Sequence, residues 1–379
     1  MTASPGESPH DLAQLRGDVR GLVDEWRSAG RFVPRPDAWL RSFDPDFSRA
    51  LGARGWLGMT WPRAAGGGGR SNVARLVVTE ELLRAGAPVA AHWVAERQIG
   101  PEILAYGTPA LQAELLPRIA RGEVTICLGM SETEAGSDLA SVRTRAVRDG
   151  DGWRVSGAKV WTSHAHHSQY AYVLARTEPD APRHESLTEL IVDLAGDGVE
   201  IRPILDLRGE HHFNELLLDD VWVPGRWVLG EPGRGWEQVT TQLAFERGGA
   251  ERIFSTYPVL ERTLELLDGA GDQLAQTVGG LLVRLRALRS LARELALAFD
   301  RGEAPVQRAA MLKLLGTQLE KDVTDTCRAV TGAVPTAEGA DLPGLVGDGI
   351  LAAPGFSIRG GTSEILMTVV ARAETEAGR

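Results

Sequence analysis

A carboxylate that follows an apolar run is the first residue that could do chemistry. Glu246 stands in the segment QLAFERGG, directly after Leu243, Ala244 and Phe245. Apolar surroundings desolvate a carboxylate, which raises its pKa and makes it a stronger base. The alternative is a solvated Glu–Arg pair on an exposed helix face, where most glutamates lie. Glu251, further along the same stretch, is a second candidate for the base.

Two segments combine hydroxyl groups, small residues and a tryptophan. They are CLGMSETEAGSDLASVRTRA, residues 127–146, and GAKVWTS, residues 157–163. Taken singly, their side chains have ordinary interpretations. Ser131 and Glu132 fit a helix cap, and Trp161 fits a core aromatic. A functional interpretation therefore depends on the segments occurring together.

Several histidines and arginines are candidate ligand-binding groups. The histidines have no carboxylate or cysteine partner at ligand spacing, so no metal site is predicted. They are His164, His166, His167, His211 and His212. Arg202, Arg208 and Arg226 could meet phosphates, but we interpret them as solvated surface residues.

The composition excludes several classes of protein. The 379 residues include 41 basic and 51 acidic side chains, a net charge of −10 that argues against nonspecific nucleic-acid binding. A local basic patch for a phosphorylated ligand stays open. Cys127 and Cys327 are the two cysteines, which indicates a reducing cytoplasm. We expect no signal peptide, because no basic start precedes an apolar run, and no membrane span, which needs about 20 apolar residues.

The periodicity predicts an α+β protein in the order helices, sheet, helices. Helical spacing fills residues 1–122, short strands with turn signals fill 123–232, and helical spacing returns over 233–379. The sequence DGDG at residues 149–152 predicts a hairpin turn. The Gly- and Pro-rich stretch 331–354 is expected to be an irregular connection.

Four motifs in this order resemble those of the acyl-CoA dehydrogenase family. They are CLGMSETEAGSDLASVRTRA, GAKVWTS, HHFNELLLDDVWVP and RGGTSEI, and the resemblance covers nearly the whole chain. It is nearest to a divergent bacterial branch. The family implies an N-terminal helical domain, a central β-barrel or β-sandwich domain and a C-terminal four-helix bundle.

The resemblance also implies a FAD site between the sheet and the C-terminal bundle. Its predicted residues are Leu128, Met130, Ser131, Gly136, Ser137, Trp161, Thr162, Ser163, Thr362 and Glu364. Ser137 would also contact the bound thioester, together with Arg247, Gly360 and Gly361. Most members have Trp-Ile-Thr where this chain has Trp-Thr-Ser.

The family's catalytic carboxylate often stands at the position of Gly360, which has no side chain. Other members carry it at the position of Glu246 and have a small residue at the C-terminal site. We therefore predict Glu246 as the base for α,β-dehydrogenation of an acyl-CoA or carrier-protein thioester. The backbone N–H of Gly360 would polarise the thioester carbonyl.

The family implies electron transfer to an electron-transfer flavoprotein and a homodimer or homotetramer, with a mixed assembly also possible. The family's Arg-x-x-Phe-Gly and Gln-x-x-Gly-Gly-x-Gly segments, which normally cross a dimer interface, are absent. Two other functions stay open. One is a non-catalytic partner subunit, and the other is a flavoenzyme repurposed for hydroxylation or a non-oxidative rearrangement.

Overall fold

The structure, a computed structural model, describes residues 7–267, 271–337 and 339–377, except for the side chains of residues 243–246, 273 and 376–377. The chain folds as two compact units. The helical unit comprises residues up to Asp44, Gly69–Ala90 and the chain from Ala244 onward. The sheet unit comprises Pro45–Gly68 and Ala91–Leu243. The domain boundaries between residues 122 and 123 and between residues 232 and 233 stay predictions.

The helices and strands follow the predicted order. The helices are α1 (Pro9–Ser28), α2 (Ala38–Arg41), α3 (Pro45–Ala53), α4 (Asn72–Arg84), α5 (Ala90–Val94), α6 (Gly100–Tyr106), α7 (Pro109–Ala120), α8 (Gly235–Arg247), α9 (Glu251–Phe254), α10 (Tyr257–Leu266), α11 (Asp272–Asp300), α12 (Val306–Thr331), α13 (Leu342–Phe356) and α14 (Ser363–Ala377). The strands are β1 (Ile126–Gly129), β2 (Arg145–Asp149), β3 (Gly152–Lys159), β4 (Tyr170–Arg176), β5 (Leu187–Asp193), β6 (Val199–Leu205), β7 (His211–Pro224) and β8 (Val228–Leu229).

The sheet unit is built on one branched sheet. Its strand order is β6-β7-β3-β2-β4-β5-β8, with β1 beside β4. Strand β5 follows one edge of β4 along its whole length. The other edge of β4 pairs in parallel with β1 and then, at the single pair Arg145↔Arg176, with β2. Gly150, at φ +60°, closes the predicted hairpin between β2 and β3.

The helical unit is centred on α12. This helix packs against α9, α10, α11, α13 and α14. Leu15, Val19, Leu22 and Val23 of α1 are buried, so the predicted apolar face of that helix is confirmed. No described helix is both long and apolar enough to span a bilayer.

The prediction of an irregular connection over residues 331–354 was wrong from Leu342 onward, where α13 begins. Asp341 caps it by accepting a hydrogen bond from Gly344 N at 3.1 Å. Three glycines of this helix, Gly344, Gly347 and Gly349, allow close packing. A Cβ on Gly347 would lie 2.0 Å from Thr336 O, and the lack of a side chain lets the two segments touch.

Candidate active site

In the sheet unit, two predicted segments meet at the ends of β1 and β3. Val160 N donates a hydrogen bond of 2.9 Å to Ser131 O. Leu128 and Met130 are half-buried on the first segment, and Ser163 is half-buried on the second. The structure therefore brings these predicted residues together.

A buried ion pair fixes the turn that follows Met130. Lys159 is fully buried, and its Nζ donates to Glu132 Oε1 at 2.8 Å, to Leu174 O at 2.7 Å and to Met130 O at 3.3 Å. Glu132 Oε1 also accepts from Thr144 N at 2.9 Å. Glu132 therefore holds a turn and does not cap a helix.

Burial and the partner's charge act in opposite directions on the pKa of each group in this ion pair. Burial lowers the pKa of Lys159 to about 8, although the Glu132 carboxylate acts to raise it. Burial alone would raise the pKa of Glu132, but the charge of Lys159 and the hydrogen bonds to the carboxylate lower it overall. Our sequence interpretation missed Lys159. The signal available in the sequence was the single lysine of the GAKVWTS segment, which stands between Ala158 and Val160.

The Trp161–Thr162 step joins an exposed ring to a buried hydroxyl. Trp161 adopts φ +58°, which is rare for a residue with a side chain, and its indole is 60% exposed. Thr162 is fully buried, and its Oγ1 has no hydrogen-bond partner within the described chain. An exposed ring beside an unpaired buried hydroxyl fits a planar ligand that carries polar atoms.

Asn214 of β7 holds this step and was also missed from the sequence. Its backbone exchanges two hydrogen bonds of 3.0 Å with Thr162, and its Nδ2 donates to Thr162 O at 2.9 Å. Its Oδ1 contacts His211 Nε2 at 2.7 Å and His166 Nδ1 at 3.1 Å. An amide oxygen only accepts hydrogen bonds, so both imidazoles present an N–H to it.

The histidines gather around this asparagine. The rings of His166 and His211 stack with centroids 3.7 Å apart. Burial, together with the neighbouring His167 and His211, lowers the pKa of His166 to about 4. No group of three potential metal ligands occurs in the described part of the chain. The histidines thus lie next to the Trp161–Ser163 segment and support it.

Gly136 and Ser137 are exposed on the turn before β2. A Cβ on Gly136 would meet no atom within 4 Å. The neighbouring Asp138 forms an ion pair with Arg183 and accepts a hydrogen bond from Ser141 Oγ at 2.7 Å. The space beside Gly136 is therefore open on a surface that a ligand can reach.

In the helical unit, Arg247 holds the glycine loop. Its side chain is buried, and its Nε donates to Gly360 O at 3.0 Å. Gly360 and Gly361 have φ of +66° and +96°. A Cβ on Gly361 would lie 3.0 Å from Arg247 Nη2. Arg247 therefore lies against both glycines, so the three predicted substrate-binding residues are in one place.

The predicted base lies partly outside what is described. Glu246 belongs to α8, but its side chain is among the residues that the structure does not describe. Glu251 begins α9 and is buried. Its Oε2 has no hydrogen-bond partner within the described residues, and a Cβ on Gly249 would lie 2.0 Å from it. Both carboxylates stay candidates for the base.

Thr362 and Glu364 lie at the start of α14. Thr362 Oγ1 accepts from Ile365 N at 3.4 Å, so this residue caps the helix. Glu364 is exposed in the first turn. A helix N-terminus favours negatively charged groups.

Comparison with known proteins places these features in a family. Family models for the N-terminal, middle and C-terminal domains of acyl-CoA dehydrogenases match residues 13–123, 127–221 and 233–375. Acyl-CoA dehydrogenase IpdE1 of Mycobacterium tuberculosis is 41% identical over 245 residues, 63% of each protein. The matched part thus spans less than two thirds of that relative.

Two further similarities cover more of the chain. Acyl-CoA dehydrogenase FadE26 of Mycobacterium tuberculosis is 33% identical over 341 residues, 84% of each protein. A solved structure described as Tcur3481-Tcur3483 steroid ACAD, a common abbreviation for acyl-CoA dehydrogenase, matches with a TM-score of 0.85 and 29% identity over 98% of both chains. The predicted fold class is confirmed, and the chain belongs to the acyl-CoA dehydrogenase family.

Proposed function

We propose that this chain catalyses the FAD-dependent α,β-dehydrogenation of an acyl thioester to the trans-2-enoyl thioester, with Glu246 as the base. Family membership supports the reaction class. The other steps depend on named residues in each unit.

The contact between Arg247 and Gly360 carries the assignment of the base. Glu246 directly precedes Arg247, whose Nε lies 3.0 Å from Gly360 O. Glu246 is therefore the direct neighbour of a residue whose side chain contacts the position where other members carry their carboxylate. A carboxylate on either backbone can serve the same substrate carbon, so the empty position at Gly360 is compatible with catalysis.

The chain offers a set of groups that fit a flavin. Trp161 supplies an exposed ring face, and Thr162 Oγ1 is a buried hydroxyl without a partner among the described residues. The two segments that meet here also contain four further predicted cofactor-binding residues, Leu128, Met130, Ser131 and Ser163. Thr362 and Glu364 would hold the dinucleotide end, Gly136 would contact the cofactor, and Ser137 would contact both cofactor and thioester. When bound, FAD supplies the acceptor for the β-hydride.

Two groups of the chain act on the thioester in this proposal. The Gly360 N–H donates a hydrogen bond to the thioester carbonyl, which lowers the pKa of the α-carbon. Glu246 takes the α-proton, and its apolar approach through Leu243, Ala244 and Phe245 favours a raised pKa. Arg247 keeps the glycine loop in position through Gly360 O.

The substrate and partners are proposed from the relatives. A solved relative is described as a steroid ACAD, which favours a bulky acyl group on CoA or a carrier protein. That relative carries two designations, so a mixed assembly is an alternative to a homodimer or homotetramer. An electron-transfer flavoprotein is the proposed electron acceptor.

The first experiment is the anaerobic visible spectrum of the purified protein with a panel of acyl-CoA and acyl-carrier thioesters. We expect a yellow protein whose flavin band is bleached by bulky acyl groups. Glu246→Gln should retain flavin and slow bleaching by about 10³-fold, within the range for loss of a general base. Glu251→Gln is the matched control and should bleach at close to the wild-type rate.

The other outcomes distinguish the alternatives. Normal bleaching by Glu246→Gln and loss of bleaching in Glu251→Gln would transfer the base to Glu251. A colourless protein would favour a non-catalytic partner subunit. A yellow protein that no thioester bleaches would favour repurposed chemistry.

A further inference from the structure

An arginine-lined cavity lies on the sheet unit, and none of the site residues assigned above lines it. Its volume is about 490 Å³, within the range of about 300–1,000 Å³ for small-molecule sites. Its charged and aromatic lining consists of Arg145, Arg148, Trp153, Arg176 and Glu178. The lining thus includes three arginines and one glutamate, although the whole chain carries a net charge of −10.

The cavity forms where two strands part. Strands β2 and β4 pair only at Arg145↔Arg176, and residues 177–179 then lead away from the sheet. This register puts two positive charges on directly neighbouring strand positions. Like charges at such positions are unfavourable unless an anion compensates them.

The sheet places the third arginine against the cavity's aromatic wall. Arg148 is the cross-strand partner of Trp153 in the β2–β3 hairpin. Its guanidinium carbon lies 5.0 Å from the centre of the indole ring. This stacking orients the guanidinium while leaving its hydrogen-bond donors at the ring's edge for another group.

Two of the three arginines at this cavity lack an ion-pair partner among the described residues. Arg145 and Arg148 are exposed and form no ion pair with any described residue. The nearby Asp149 is already paired with Arg154, at 2.8 Å. By contrast, Arg202, an arginine considered for phosphates in the sequence, is paired with Glu200 at 2.8 Å.

Two fixed groups complete the site. Arg176 donates to Ser186 Oγ and, at 3.1 Å, to Ala140 O, so its positive charge is held in place. Trp153 lines the cavity and is only 5% exposed, yet its Nε1 has no hydrogen-bond acceptor within the described chain. A buried N–H without an acceptor is rare and indicates a missing partner.

From these features, we propose that the cavity binds a terminal phosphate monoester on a planar-ring compound, the chemistry of a mononucleotide. Arg145 and Arg148 bind the phosphate, because guanidinium groups match the geometry of oxyanions. Trp153 Nε1 donates a hydrogen bond to the same ligand. Val147, Pro179 and Pro232 supply apolar walls for the ring. This proposal does not rest on the proposed dehydrogenation.

The phosphate monoester has two possible sources, a free nucleotide or the 3′-phosphate end of CoA. Isothermal titration calorimetry on the full chain at low salt tests the site with AMP as the probe. We expect saturable AMP binding and at least tenfold weaker binding of adenosine. Competition by CoA but not by dephospho-CoA identifies the CoA end, and AMP binding that CoA leaves unchanged identifies a free nucleotide.

Variants link the binding to this cavity. Arg145→Gln and Arg148→Gln should each weaken AMP binding about tenfold, and Trp153→Phe about fivefold. Arg202→Gln, an exposed arginine of the same unit, is the matched control and should bind AMP normally. Arg145→Gln and Arg148→Gln should keep the wild-type unfolding temperature, because both side chains are exposed. Equal binding of AMP and adenosine, no AMP binding, or unchanged binding in both arginine variants would overturn the proposal.

Discussion

The chain has three lysines, and two of them are fully buried, one in each unit. Lys159 in the sheet unit meets a carboxylate, Glu132, and two backbone carbonyls. Lys313 in the helical unit donates to Phe356 O at 2.6 Å, at the end of α13 and shortly before the glycine loop. Each lysine therefore holds a segment of the candidate site. The described hydrogen bonds of Lys159 include one to a carboxylate, and the described hydrogen bond of Lys313 is to a backbone carbonyl.

Removing Lys159 should have the largest effect. Lys159→Met leaves Glu132 with no cation in a partly buried position, and breaking such a pair costs about 3–5 kcal/mol. We expect a much lower free energy of unfolding and loss of bound flavin, measured by urea denaturation and by absorbance. Lys321→Met, at a half-buried lysine, is the matched control. A Lys159→Met protein as stable as that control would contradict the role of the ion pair.

Lys313→Met should also lower the free energy of unfolding, because it removes the 2.6 Å hydrogen bond to Phe356 O, a carbonyl that keeps Thr317 Oγ1 as a donor at 3.1 Å. The expected loss is about 1–3 kcal/mol. The comparison with Lys159→Met in the same urea series tests the difference between the two lysines. A Lys313→Met protein as stable as the wild type would contradict the role of this hydrogen bond in holding the end of α13.

Glu102 and Glu189 are buried carboxyl groups without a described cation. They extend the comparison of buried charged groups to a pair of like charge. Burial and the charge of Glu189 raise the pKa of Glu102 to about 9. Burial also raises the pKa of Glu189 to about 8, although the hydrogen bond from Gln238 Nε2 to its Oε2 at 3.1 Å acts to lower it. The folded state therefore holds protons that the unfolded state has lost above about pH 4.5.

Stability from this pair is fully present below about pH 4.5 and is lost as the pH rises through 8 to 9. Glu102→Gln should therefore raise the free energy of unfolding at pH 9 by roughly 1–3 kcal/mol and change it little at pH 5. Urea denaturation at the two pH values measures this. A variant that is equally stabilised at both would contradict the raised pKa.

Gly361→Ala should have the smallest effect on folding. Its φ of +96° disfavours a side chain, and the added Cβ would lie 3.0 Å from Arg247 Nη2. We expect a loss of about 1 kcal/mol and slower substrate bleaching, because the loop shifts. Gly136→Ala, where the space is open, is the matched control for stability. A Gly361→Ala protein with unchanged stability and bleaching rate would show that this position tolerates a side chain.

Sequence patterns predicted the order of elements, the family and the segments that meet at the Trp161 step. They did not predict α13, because a glycine that permits close packing looks the same in the sequence as a glycine that permits flexibility. Gly347 against Thr336 O is such a case. Lys159 and Asn214 were missed for a related reason. Their partners, Glu132 and Thr162, are distant in sequence and meet only when the strands pair.

The scarcity of accessible lysines makes the chain a reporter of its own unfolding. In the native state, an amine-selective reagent has one accessible lysine side chain, Lys321, which is half-buried and donates to Ser357 Oγ at 3.0 Å. Lys159 and Lys313 become reactive only when their units open. Labelling followed by peptide mass mapping would therefore time the opening of each unit separately, because each contains one buried lysine.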